Sequence, residues 1–150
     1  TFGAFVAGSE ELVETLIQKA RTYIYTTALP PAVAEATRAS LAIVREEPLR
    51  REHLEALIER FRRGASHLPF VMPNSSTPIQ PLVVGQANRA IALSQALERQ
   101  GFFLRPIRPP AVPEGSSRLR ITLSAAHSES HVDRLLEALA AAWQEAGGDP

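Results

Sequence analysis

The stretch at 105–124, RPIRPPAVPEGSSRLRITLS, constrains the fold of this chain more than any other. From residue 118 onward apolar and polar residues alternate with a period of two, which predicts a half-buried strand at 118–124. The face predicted to meet the core carries Leu119, Ile121 and Leu123. The opposite face carries Arg118, Arg120, Thr122 and Ser124, so these arginines either bind an anion or stand solvated on an edge strand.

A proline-rich loop precedes this strand and limits its conformations. The prolines at 106, 109, 110 and 113 fix φ and push the residues before them toward extended backbone. Arg108 is therefore held in few orientations. Because a planar guanidinium captures a carboxylate through two parallel hydrogen bonds, Arg108 and Arg120 are candidates for binding a carboxylate ligand.

Composition sets broad limits on function. The chain has 150 residues, 45% of them hydrophobic, which is enough to bury a core. Sixteen basic and sixteen acidic residues balance, so no nucleic-acid or anionic-membrane partner is predicted. No cysteine is present, which excludes disulfides and thiolate chemistry. No apolar run reaches the roughly 20 residues of a membrane helix and no signal peptide is visible, so we expect a cytoplasmic protein.

The first residues have the character of a buried segment. Thr1 is not a methionine, and residues 1–8 read as an apolar strand with glycines at 3 and 8. Such a strand is too short and too apolar to begin an independent domain. We therefore expect this chain to be one piece of a longer protein.

The rest of the chain predicts helices alternating with short strands. Helices are predicted at 10–21, with Ser9 as N-cap, and at 31–45, 48–63, 86–100 and from Ser128 or Ser130 onward. Gly64 and Gly101 are predicted to end the helices before them. Extended segments are predicted at 22–29, 68–72, 79–84 and 102–107. The loop before residue 118 is too short for a crossover helix, so the pattern predicts an α/β sandwich with a small, partly antiparallel sheet covered by helices.

Two polar motifs have weaker implications. His127 and His131 lie four residues apart and could share a helix face, but no third metal ligand is evident, which favours a capping or surface role over metal binding. The Ser75-Ser76-Thr77 run lacks the glycines of a nucleophile elbow and is typical of a turn.

Five blocks of the sequence together resemble a known family. They are GAFVAGS at 3–9, YTTALPP at 25–31, IQPLVVG at 79–85, IRPPAVP at 107–113 and RLRITLSAAH at 118–127. In this order they look like the α-oxoamine synthases, which depend on pyridoxal 5'-phosphate (PLP). The IRPPAVP form is most similar to the biotin-pathway branch, the 8-amino-7-oxononanoate synthases. The resemblance covers nearly the whole chain but only the C-terminal part, less than half, of the family's polypeptide.

This resemblance implies a fold and a division into domains. The expected fold is the C-terminal portion of a PLP-dependent transferase of fold type I, similar to aspartate aminotransferase. Residues 1–45 would be the end of the large cofactor-binding domain with a connecting helix. Residues 46–150 would form the small C-terminal α/β domain.

The resemblance also implies an activity. L-alanine would condense with pimeloyl-CoA, or with a pimeloyl carrier protein, and lose CO2 to give 8-amino-7-oxononanoate. Another α-oxoamine synthase activity, such as that of a glycine C-acetyltransferase, is an alternative. A non-catalytic module that binds small molecules is a further alternative, because a small sheet with an arginine pair also suits a regulatory site.

The family's site residues can be placed on matching positions. Arg120 matches the arginine that binds the amino-acid carboxylate, while Arg108 and Ala111 match substrate-contacting positions, although the family commonly has threonine where Ala111 stands. Thr26 and Thr27 match hydroxyls that bind the cofactor phosphate of the neighbouring subunit in a homodimer; the alternative is that these threonines only favour extended backbone.

The resemblance places the Schiff-base lysine in a Thr-x-Gly-Lys segment upstream of residue 1. The only lysine in the chain, Lys19, lies on a predicted helix without that glycine-rich setting and does not match it. Catalysis is therefore expected to need the missing N-terminal part, and this chain by itself is expected to be inactive.

Overall fold

Six helices and three strands make up the part of the chain, residues 3–147, that the computed structural model describes. The helices are α1 Glu10–Lys19, α2 Arg21–Ile24, α3 Pro31–Glu46, α4 Leu49–Ala65, α5 Ala87–Arg99 and α6 Glu129–Glu145. The strands are β1 Ile79–Gly85, β2 Pro106–Ile107 and β3 Ser117–Thr122. The chain divides into two compact units, Thr1–Pro48 and Leu49–Pro150.

The first unit contains α1, α2 and α3. The Ser9 hydroxyl caps α1 as predicted by accepting a hydrogen bond from the Leu12 amide at 3.4 Å. Pro31 occupies the first turn of α3, where its missing N–H leaves no intrahelical bond unmade. None of the residues 3–48 is buried, so the apolar faces of these helices stay largely open.

Two extended segments predicted in this unit are wrong. Residues 3–9 are irregular rather than a strand, while residues 1 and 2 of that prediction lie outside the described part. The segment at 22–29 begins with α2, in which the amides of Tyr23 and Ile24 donate to the carbonyl of Ala20. A strand needs a partner for its backbone groups. No strand lies among residues 3–48 to provide these partners, so part of the backbone forms hydrogen bonds within its own segment instead.

The second unit is built on a three-stranded antiparallel sheet with the order β1-β3-β2. The central strand β3 pairs with β1 on one side, where Leu82 faces Leu119, and with β2 on the other, where Ile107 faces Arg118. The predicted strand at 118–124 is confirmed as far as Thr122, and the predicted antiparallel pairing is confirmed. Because β3 is the central strand of this sheet, the alternative of an edge strand is wrong.

Two other predicted strands are largely wrong. The segment at 68–72 contributes only one bridge, between Val71 and Val83. The segment at 102–107 pairs only at Pro106 and Ile107. Prolines at 69, 73 and 106 remove ladder donors, which accounts for the shortness of the pairing.

Helices α4, α5 and α6 pack together, and α5 lies on the sheet, to form a core. Leu119, Ile121 and Leu123 all point into it, as the alternating pattern predicts. The other large, fully buried apolar side chains are Leu57, Phe61, Leu82, Leu93, Leu97, Val132 and Leu139. Because one face of β3 is filled in this way, the opposite face is presented outward in a fixed register.

One predicted helix end is wrong, and at the start of α6 the structure selects one of the two predicted caps. Gly64 does not end α4, which continues to Ala65; a Cβ on Gly64 would overlap the side chain of Leu136, so glycine permits the close approach of α6. Ser130 does not cap α6. Ser128 is the N-cap, and its hydroxyl accepts from the His131 amide at 3.3 Å while His131 Nδ1 accepts from the Ser128 amide at 3.1 Å.

Candidate active site

Arg120 lies on the exposed face of the central strand, as predicted from the alternation. Pro81 of β1 is its neighbour on one side. On the other side the Arg120 amide donates a 3.4 Å hydrogen bond to the carbonyl oxygen of Arg105, just before β2. Backbone contacts on both sides therefore fix the Cα of Arg120, while its guanidinium is free to meet a ligand.

A cavity of about 310 Å³ opens beside this strand. Its lining comprises Phe103, Leu104, Arg105, Ile107, Arg120 and Thr122. The Arg105 guanidinium carbon stands 5.7 Å from the centre of the Phe103 ring, a cation–π contact. Within residues 3–147 neither Arg105 nor Arg120 forms an ion pair. The cavity therefore combines apolar walls with two uncompensated positive charges.

Arg108 and Ala111 lie together on the turn that follows β2. The Ala111 amide donates to the Arg108 carbonyl at 3.0 Å, across the cis peptide bond between Pro109 and Pro110. Both side chains are exposed, but neither lines the cavity of Arg120. The structure of this chain thus brings Arg120 together with Arg105 and not with Arg108.

Arg105 lies beside Arg120, although the pattern of its own segment does not indicate this. Its partnership with Arg120 follows from the antiparallel register, in which Pro106 faces Leu119 and Ile107 faces Arg118. That register could be extended by one residue to place Arg105 opposite Arg120, but only after the pairing itself was known. Arg118, on the same strand, is engaged differently, since its Nε donates to the Ser116 carbonyl at 3.0 Å.

Thr26 and Thr27 lie in the first unit and line a separate, open cavity of about 1210 Å³. Both side chains are exposed, and within the described residues no hydrogen bond engages either hydroxyl. Two adjacent hydroxyls without internal partners fit a phosphate, which accepts several hydrogen bonds. Lys19, which does not match the Schiff-base lysine of the family, is exposed in the last turn of α1 and does not line that cavity.

Histidines near α6 form hydrogen bonds with backbone groups. His127 Nδ1 accepts from the Ser124 amide at 3.2 Å, and His53 Nε2 donates to the His127 carbonyl at 2.9 Å. Residues 3–147 hold no group of three or more potential His, Cys, Asp or Glu metal ligands. No helix in the same range is long and apolar enough to cross a membrane.

The main electrostatic contact of the second unit lies between α4 and α6. The Arg60 Nε and Nη2 atoms donate to the two carboxylate oxygens of Asp133, each at 2.7 Å, and Nη1 donates to Glu129 at 2.8 Å. The hydrogen bonds from Arg60 lower the pKa of the Asp133 carboxyl below its ordinary value. This fork holds the two helices together and takes no part in the Arg120 cavity.

Comparison with known proteins identifies the family. Residues 2–139 match the model of aminotransferase class I and II. The 8-amino-7-oxononanoate synthase of Pseudomonas paraeruginosa is 61% identical over 97% of this chain, which spans 36% of that relative. The 8-amino-7-oxononanoate synthase of Thioalkalivibrio sulfidiphilus is 63% identical over 93% of this chain.

Solved structures agree with this assignment. A variant of serine palmitoyltransferase from S. paucimobilis with a bound PLP–myriocin aldimine superposes with a TM-score of 0.82 at 26% identity, covering 89% of this chain and 34% of that one. The 8-amino-7-oxononanoate synthase from Francisella tularensis superposes with a TM-score of 0.77 at 27% identity, covering 91% and 40%. The predicted α/β fold of a fold type I PLP-dependent transferase is confirmed.

The chain spans about a third of the length of the curated relatives that it matches, and the match covers nearly all of its own length. The resemblance predicted from five sequence blocks is confirmed by these relatives. The chain belongs to the aminotransferase class I and II family.

Proposed function

We propose that this chain is the C-terminal part of an enzyme that condenses L-alanine with a pimeloyl thioester to give 8-amino-7-oxononanoate. The observation that carries the proposal is the guanidinium of Arg120, which has no ion pair among residues 3–147 and belongs to a central strand beside a cavity. The names of the relatives at about 60% identity supply the reaction. In this reaction a bond forms between Cα of alanine and the thioester carbonyl carbon, and CO2 and the free thiol leave.

The role of Arg120 is to bind the carboxylate of L-alanine. Its planar fork makes two charge-assisted hydrogen bonds, and the flanking strands fix the position from which it does so. Orientation of the amino acid is the main contribution that such a residue makes to the rate. The cofactor, when bound, acts as the electron sink of the reaction.

The cofactor in this proposal is PLP, and Thr26 and Thr27 bind its phosphate. Their adjacent hydroxyls lack internal partners among residues 3–147, which supports this role. The site would be completed in a homodimer, where these threonines reach the cofactor of the other subunit. The Schiff-base lysine and most other cofactor contacts would come from the N-terminal part of the same polypeptide.

Domain assignment and location complete the proposal. Residues 1–45 end the large cofactor-binding domain and its connecting helix, and residues 46–150 form the small domain. The division of the chain between Pro48 and Leu49 lies near this boundary and supports it. Arg108 and Ala111 contact substrate from the turn after β2, with Ala111 limited to backbone or packing contact. We place the enzyme in the cytoplasm.

Product formation by the complete polypeptide tests this function. The enzyme with PLP is supplied with L-alanine and pimeloyl-CoA, with glycine and acetyl-CoA, or with L-serine and palmitoyl-CoA. The last pair is included because a serine palmitoyltransferase has a similar structure. We expect the alanine and pimeloyl pair to give the highest kcat/KM by at least tenfold. A preference for either other pair would assign a different activity, and turnover of none would favour a binding module.

A further inference from the structure

We propose that Arg105 and Arg120 form a two-carboxylate cleft, in which Arg105 selects an acyl donor that carries a free terminal carboxylate. This inference rests on the function proposed above and adds a specificity-determining residue to it. The carboxylate of L-alanine would occupy Arg120. The distal carboxylate of the donor would occupy Arg105.

The first support is the charge arrangement of the sheet face. Arg105 and Arg120 are neighbours across the ladder, line one cavity and are both exposed. Like charges directly opposite each other on adjacent strands are unfavourable. Within residues 3–147 no carboxylate comes within ion-pair distance of either guanidinium. A ligand that brings two negative charges would relieve this repulsion.

The second support is the orientation of Arg105. Its guanidinium lies over the Phe103 ring, and Phe103 keeps 69% of its surface exposed, so the ring serves as a platform beside the cavity. Because its guanidinium stacks on the ring, the long side chain of Arg105 already has less conformational freedom. It therefore loses less conformational entropy when it binds an anion. Arg118 has the same charge and the same strand face as Arg120, but it bonds to Ser116 and does not line the cavity.

The third support is the chemistry of the product. The name 8-amino-7-oxononanoate describes a molecule that ends in a carboxylate. The carboxylate of alanine is lost as CO2, so the carboxylate that remains comes from the acyl donor. Both carboxylates are present before the new bond forms. Two arginines that line one cavity match that requirement.

Donor selectivity of the complete enzyme tests the role of Arg105. At saturating L-alanine, kcat/KM is measured with pimeloyl-CoA and with heptanoyl-CoA, which has the same chain length but no terminal carboxylate. We expect Arg105→Gln to lower kcat/KM for pimeloyl-CoA by about tenfold to a hundredfold, because a hydrogen bond to a charged group is lost. The value for heptanoyl-CoA should change by less than about threefold, which also shows that the variant is folded.

The matched control is Arg118→Gln, which removes the same charge from the same strand face outside the cavity. It should change kcat/KM for either donor by less than about threefold. Arg105→Lys keeps the charge without the planar fork and should fall between wild type and Arg105→Gln for pimeloyl-CoA. Equal losses for both donors in Arg105→Gln, or equal effects of Arg105→Gln and Arg118→Gln, would overturn the inference.

Calorimetric titration with the free acids separates this inference from the proposed function, since it needs no turnover. We expect the complete polypeptide to bind pimelate at least tenfold more tightly than heptanoate, and Arg105→Gln to abolish the difference. Similar affinities of the wild type for the two acids would contradict the cleft. Failure of the wild type to turn over any donor, with the pimelate preference intact, would contradict the proposed function instead.

Discussion

The backbone amide of Arg120 donates to the carbonyl of Arg105 at 3.4 Å, and both residues line one cavity. Neither guanidinium forms an ion pair among the described residues. The backbone contact fixes the two arginines relative to each other, and the side chains carry the charge. A preformed anion-binding site is expected to combine a fixed backbone with guanidinium groups that have no carboxylate partner nearby, as seen here among the described residues.

Replacement of both phosphate-binding candidates should weaken cofactor binding. Thr26→Ala combined with Thr27→Ala removes two hydroxyls and should raise the Kd for PLP of the complete polypeptide by about tenfold or more, at roughly 1 kcal/mol for each lost hydrogen bond. Absorbance titration with PLP measures this. Ser40→Ala is the control, because its hydroxyl donates to the Ala36 carbonyl within α3 and to no other group in the described part of the chain. An unchanged Kd in the double variant would remove both threonines from the phosphate site.

The fork between Arg60 and Asp133 should make stability depend on pH. Because the folded state lowers the pKa of Asp133, its contribution is present at neutral pH and is lost as pH falls through that lowered pKa. We expect Tm of the wild type to exceed that of Asp133→Asn at pH 7, and the difference to shrink below about pH 4.

Thermal unfolding of the complete polypeptide across this pH range measures the effect of the fork. Glu137→Gln, which neutralises an exposed carboxylate on the same helix, is the matched control and should change Tm little. A Tm difference for Asp133→Asn that stays constant from pH 7 to about pH 3 would show that the carboxylate charge does not act as described.

The N-terminus of α6 should depend on Ser128 and much less on Ser130. Ser128→Ala removes the acceptor for the His131 amide and should lower the free energy of unfolding by about 1 kcal/mol. Ser130→Ala removes only a hydroxyl that contacts Ser128, so its effect should be less than half as large. Urea denaturation of the two variants distinguishes them. Equal losses would contradict Ser128 as the cap.

Gly64→Ala should destabilise the protein, although alanine usually stabilises a helix interior by about 1 kcal/mol relative to glycine. The added methyl group would overlap Leu136 on α6, and overpacking of this kind costs about 1–3 kcal/mol. Gly64→Ala combined with Leu136→Ala should recover part of the loss measured by urea denaturation. Stabilisation by the single substitution would show that the Leu136 side chain moves aside at little cost.

The sequence alone predicts those elements in which the hydrophobic pattern shows directly which side chains are buried. The alternation at 118–124 predicts the faces of β3 because period two fixes which side chains enter the core. It was insufficient at 22–29, 68–72 and 102–107, where β-branched and aromatic residues suit a strand but pairing is absent or limited. A strand forms only where another strand pairs with it, and the local composition does not show whether such a partner is present.

The candidate site was predictable only in part for the same reason. The exposed position of Arg120 follows from the pattern of its own strand. Its proximity to Arg105 depends on the register between β2 and β3. A shift of that register by one residue would turn the side chains of one strand to the opposite face of the sheet. Likewise, Ser128 and Ser130 are equivalent as sequence signals for an N-cap, and only the backbone conformation at Ser128 selects between them.

Titration of the complete, PLP-loaded polypeptide with L-alanine, followed by the absorbance of the cofactor, tests the role of Arg120 most directly. We predict a saturable spectral change in the wild type and an apparent Kd for L-alanine about a hundredfold higher in Arg120→Ala, equivalent to about 3 kcal/mol. Arg118→Gln, the control on the same strand, should bind L-alanine as the wild type does. An apparent Kd of Arg120→Ala within about threefold of the wild-type value would contradict carboxylate binding at this residue.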